Sequence, residues 1–139
     1  MFTKILLAYD GSENADRAAD KAIFLARHAK GAEIEVVYVL DFVKEKIEGL
    51  DYKEKEAVML ARRERIEPLE KRLTAENIPF HVKMLQGEAG PTIVKYANDN
   101  EFDAVVIGSR GLNAFQEMVL GSVSHKVAKR VKCPVMIVK

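Results

Sequence analysis

Short apolar runs at residues 4–9, 33–40, 80–85 and 104–107 and at Val135–Val138 recur along a 139-residue chain, separated by stretches with helical spacing. A parallel strand needs a crossover to return to its sheet, and each crossover leaves a helix on one face. The alternation therefore predicts a parallel α/β sheet covered on both sides. Pro79 and Pro134 each stand just before one of the runs. In the first helical stretch Ser12 is the expected cap. Ala15, Ala18, Ala19, Ala22, Ala26 and Ala29 form a small-residue stripe, and Gly31 is the expected end. A second helix is expected over 52–76, burying Tyr52, Met59, Ile66, Leu69 and Leu73. Pro68, which lacks the backbone donor a helix interior needs, should kink or break it. A third, short helix should start at Gly90-Pro91, with Ile93, Val94 and Ala97 as its apolar residues, and a fourth should carry Val123, Val127, Ala128 and Val131. Residues 41–51 have no clean period and read as a surface loop, with a ligand cover as the alternative.

Length and composition fit one domain over residues 1–139, with enough chain to bury a core without disulfide or metal staples. Charged residues make up 31% of the chain yet balance to a net charge of +1, so no global field draws in nucleic acid or an anionic membrane. The single cysteine, Cys133, cannot form an internal disulfide or a thiolate metal site and reads as core filler. The opening apolar run is too short for a signal core or a membrane span, and a cytoplasmic protein is expected.

Candidate chemistry concentrates where strands end. Gly108-Ser-Arg-Gly111 follows the fourth run, and after nine residues comes Gly121-Ser122-Val123, which opens the last helix. Glycines let backbone approach an anion closely, and a helix N-terminus presents unpaired N–H groups with partial positive charge. In an open parallel sheet ligands gather beyond the carboxyl ends of strands where the winding direction reverses. If the first and fourth strands are neighbours, Ala8, Val39 and Ile107 can pack an adenine. Asp10 can then accept hydrogen bonds from ribose hydroxyls or reach a metal through water. Asp10-Gly11-Ser12 alone favours a turn followed by a helix cap over a binding role; its convergence with the glycine run reverses that preference.

On these motifs the chain resembles the universal stress protein family, whose ATP-binding members carry Gly, two residues, Gly, nine residues, then Gly followed by Ser or Thr. Gly108, Gly111, Gly121 and Ser122 match that pattern. The opening Lys4-Ile-Leu-Leu-Ala-Tyr-Asp-Gly-Ser12 and the closing Cys133-Pro-Val-Met-Ile-Val138 extend the likeness over essentially the whole chain. The resemblance implies a flavodoxin-like three-layer sandwich with a five-stranded parallel sheet of order 3-2-1-4-5. It also implies ATP, with Mg2+ or Mn2+. Asp10 and Val39 would then contact ribose and adenine, while Gly108, Gly111, Gly121, Ser122 and Val123 surround the phosphates. Arg110 lies where the family varies, and either leans on a phosphate or is solvated. An uncovered apolar last strand invites pairing with another chain, and the resemblance likewise implies a homodimer through Val135–Val138.

Other chemistries lack their residues. No Gly-Lys-Ser/Thr follows the glycines as a Walker loop requires, no Gly-x-Gly-x-x-Gly follows the first strand, and Ser109 does not lie in a Gly-x-Ser-x-Gly elbow. His28, His81 and His125 are dispersed. The expectation is an ATP-binding regulatory or stress-response protein with an unidentified protein partner. A slow divalent-metal-dependent nucleotide hydrolase using Asp10 and a dimeric interaction module with a vestigial pocket are the alternatives.

Overall fold

A computed structural model describes residues 2–111 and 120–139. Five parallel strands, β1 (Lys4–Ala8), β2 (Glu33–Leu40), β3 (Phe80–Gln86), β4 (Ala104–Gly108) and β5 (Val135–Val138), form one sheet in the order β3-β2-β1-β4-β5, as expected. The helices are α1 (Glu13–Arg27), α2 (Tyr52–Glu64), α3 (Glu67–Ala75), α4 (Ala89–Asp99) and α5 (Ser122–Arg130).

The central strands are buried on both faces, which is why they read as unbroken apolar runs rather than alternating ones. Ile5 and Leu7 of β1 face one core, with the alanine stripe of α1 and with Ile66, Leu69 and Leu73. Leu6 and Ala8 face the other, with Ile93 and Ala97 of α4, Val105 and Ile107 of β4, and Val127 of α5. Each fully buried Leu, Ile or Val contributes about 1.5–3 kcal/mol relative to exposure, so a two-sided sheet of this size needs no cross-link. Cys133 packs half-buried against the second core, and burial pushes its thiol pKa up, as befits filler rather than a nucleophile.

Local chemistry sets the helix limits. Ser12 caps α1 by accepting the N–H of Ala15 at 3.1 Å. The helix stops at Arg27 rather than running to Gly31. Its end tightens into i→i−3 bonds from His28 to Leu25 and from Ala29 to Ala26, and Gly31, at φ +76°, completes the turn. Ala29 therefore sits beyond the helix. The stretch 52–76 is two helices. Pro68 occupies the second position of α3, where its missing N–H costs nothing, and the chain breaks at Arg65 and Ile66. Asp51 and Glu54 form a reciprocal capping box at the start of α2. α2 buries none of its residues: Tyr52 is 80% exposed, contrary to the helical pattern, and Met59 is only half-buried, because neither core takes in a residue of α2. Pro91 falls in the first turn of α4. In α5 Val127 is buried but Ala128 is exposed.

Candidate functional site

β1 lies between β2 and β4, so the chain winds to one side after β1 and crosses to the other after β3. The carboxyl ends of these strands open into a cavity of about 480 Å³. Ala8, Val39 and Ile107 give it an apolar floor; Gly108 lines it from the end of β4, and Asp10, Arg110 and Gly111 from the two strand-to-helix loops. Gly121, Ser122 and Val123 line it from the head of α5. All ten residues singled out in the sequence thus border one space. Its size lies within the range of about 300–1,000 Å³ usual for small-ligand sites.

Each loop is fixed by a small set of bonds. The Asp10 carboxylate accepts the N–H of Ser12 at 2.9 Å, which turns the chain from β1 into α1. Gly111 lies against the same carboxylate: a Cβ there would stand 2.7 Å from Asp10 Oδ2. Gly108 has a different reason to be glycine. A Cβ on it would stand 2.9 Å from the backbone of Asn14, so the missing side chain lets the first turn of α1 close on β4.

Ser109 locks this corner. It is 2% exposed, its hydroxyl accepts from Asn14 Nδ2 at 3.0 Å, and its N–H donates to the Val138 carbonyl at 2.7 Å. Its own carbonyl accepts the N–H of Gly121 at 2.7 Å and the hydroxyl of Ser124 at 2.8 Å, tying the end of β4 to the head of α5. Gly121 carries no capping side chain, and among the described residues no side chain caps α5; a helix supplies no carbonyl of its own for its first N–H groups, so those at the head of α5 are of the kind that can donate to an anion.

Several lining residues carried no signal in the sequence. Tyr9 and Tyr38 border the cavity. The Tyr9 phenol donates to Asp16 at 2.5 Å, and burial together with Asp16 raises its pKa well above the ordinary phenol value. Tyr38 accepts from Arg65 Nη1 at 2.9 Å; burial raises its pKa and Arg65 partly offsets this. Glu45, from the 41–51 loop, also lines the cavity and is paired with Arg62 of α2 at 3.2 Å. Glu88, Gly90 and Ile93 of the α4 region and Lys126 of α5 form a further wall. Only the finished packing brings them there; the available signals were Gly90, read from sequence as a helix start alone, and the 41–51 loop, for which a ligand cover was the alternative reading. His125 is exposed.

Comparison with known proteins bears out the fold. The model of the Universal stress protein family matches residues 1–139. A universal stress protein of Thermus aquaticus is 36% identical over 140 residues, with both chains covered in full. The solved structure of MJ0577, a universal stress protein of Methanocaldococcus jannaschii, superposes with a TM-score of 0.89 at 28% identity, covering 100% of this chain and 96% of the other. An Arabidopsis thaliana protein solved with AMP bound shares the fold at a TM-score of 0.70 and 18% identity, covering 99% of this chain and 91% of that one. The chain belongs to the universal stress protein family.

Proposed function

We propose that this is an ATP-binding regulatory protein, in which bound nucleotide alters the surface offered to a protein partner. The observation that carries the reading is the convergence of an apolar floor, an aspartate and a helix head bordered by glycines on one cavity of nucleotide size. Adenine packs on Ala8, Val39 and Ile107, Asp10 takes the ribose hydroxyls, and Gly108, Arg110, Gly111, Gly121, Ser122 and Val123 surround the phosphates. The AMP held by the Arabidopsis protein supports an adenine nucleotide as the ligand class for this fold.

Mg2+ or Mn2+ accompanies the triphosphate in this reading. Among the described residues no group of three or more His, Cys, Asp or Glu side chains is placed to hold a metal ion. The donor set therefore fits a cation held mainly by phosphate oxygens and water, with Asp10 as the nearby carboxylate; such a cation would neutralise phosphate charge. Hydrolysis is slow or absent in this reading, since binding phosphates does not by itself make a catalyst. The place of Asp10 in the cavity favours one competing reading, a metal-dependent hydrolase. Turnover lost in Asp10→Ala while ATP binding persists would establish it. Two copies pair through the edge strand β5. Among the described residues no helix is long and apolar enough to cross a membrane, and the protein is proposed to act in the cytoplasm.

Thermal melts test the nucleotide reading. ATP at about 100 times its dissociation constant should add about 2.7 kcal/mol of stability. No shift with ATP, ADP or AMP in the presence of magnesium would leave the protein as an interaction module with a vestigial pocket.

A further inference from the structure

Lys126 occupies a position that its surface chemistry alone does not explain. It lies four residues after Ser122, so the two share a face of α5, and helical side chains lean toward the N-terminus of their helix. Its stem crosses the first turn of α4 through the space Gly90 leaves open: a Cβ at Gly90 would stand 2.8 Å from Lys126 Cδ. Its ammonium lies 3.4 Å from Glu88 Oε1, and both side chains are partly exposed, at 37% and 69%. Glu88, Gly90, Ser122 and Lys126 all border the cavity.

A long, partly exposed ion pair contributes little to stability, so exchanging its anion costs little. A phosphate chain offers a lysine more charge and more acceptor oxygens than one carboxylate does. The stem is held by packing while the ammonium keeps a weak partner at the edge of the site. We infer that Lys126 is a specificity-determining residue: it leaves Glu88 for the distal phosphates when nucleotide binds, and so grades affinity by phosphate number. This rests on the nucleotide reading above and adds to it the basis on which tri-, di- and monophosphates are told apart.

Titration calorimetry with ATP, ADP and AMP, in magnesium and at fixed salt, tests this on the wild-type chain, Lys126→Met, Glu88→Gln and Lys129→Gln. Methionine keeps the stem over Gly90 and removes only the charge; Lys129, exposed on the same helix and outside the cavity lining, controls for net charge. Lys126→Met should weaken ATP about tenfold and AMP less than about twofold, while Glu88→Gln leaves ATP affinity unchanged or improved. Lys129→Gln should match wild type. A wild-type ratio of ATP to AMP affinity in Lys126→Met overturns the inference and leaves the nucleotide reading standing, as does an equal loss for all three ligands. Weaker ATP binding in Glu88→Gln also overturns it, because Glu88 rather than the lysine would then face the ligand. If the wild-type chain binds none of the three, both readings fall.

Discussion

Gly111 and Asp10, one hundred and one positions apart, meet so closely that a methyl on the glycine would stand 2.7 Å from the aspartate Oδ2. The glycine loop after β4 and the turn after β1 are therefore in direct contact, and the shape of one depends on the other. Gly111→Ala should push the Asp10 side chain aside, since the atom it meets is the end of a side chain rather than backbone. The expected result is ATP binding weakened about tenfold or more with a melting temperature within a few degrees of wild type, read by calorimetry and thermal melts. Unchanged affinity would show that the position of Asp10 does not matter to the ligand.

Gly108→Ala should behave differently. The added methyl meets the backbone of Asn14 at 2.9 Å, and a helix turn cannot swing away as a carboxylate can. Overpacking of this kind costs about 1–3 kcal/mol, so the variant should melt well below wild type with or without nucleotide.

Gly121 has more room, with Ser109 O at 3.5 Å and the Arg110 Cα at 3.6 Å from a Cβ built on it. Gly121→Ala should fold normally, and Gly121→Val should fold yet lose the nucleotide-dependent melting shift, because branching fills the approach to the head of α5. A valine variant that binds like wild type would misplace the phosphates.

At alkaline pH the Tyr96–Glu35 contact should fail. Burial first, then the hydrogen bond to Glu35, raises the Tyr96 phenol from an ordinary value of 10 to about 12. A raised folded-state pKa stabilises the fold fully below pH 10, and that contribution is lost as pH climbs through 12. Tyr96→Phe should flatten the decline in denaturation midpoint between pH 10 and 12 relative to wild type. An equal decline in both proteins would assign the loss to other groups.

The edge strand offers a test of assembly. Met136 of β5 is 38% exposed, and β5 pairs on one side only, with β4. Wild type should sediment as a dimer and Met136→Lys as a monomer, since a charge on an unpaired strand opposes strand addition.

The central strands were legible because burial on both faces leaves unbroken apolar runs, and the helix breaks were legible where one residue type forbids continuation, as Pro68 does. Tyr52 was misplaced because periodicity reports which side of a helix is apolar and cannot report that the helix stays outside both cores. Asp10, Gly108, Gly111 and Gly121 were legible because an aspartate and glycines at strand and helix ends carry a local signature, and the other six cavity residues followed from their place beside these in the motif or at the strand ends. Glu88, Tyr38 and Lys126 carry none: their neighbours lie 38, 27 and 36 or more positions away and exist only once the sheet is formed. Gly108 was read for its ligand, yet a packing demand already explains it.

With no side chain buried, α2 can change its sequence at little cost to stability, since exposed substitutions away from caps and packing usually fall within about 0.5 kcal/mol. Arg62 nevertheless links this helix to Glu45 at the cavity wall. This outer arm can therefore be redrawn residue by residue and still reach the cavity wall through Arg62, while the sheet beneath it stays as it is.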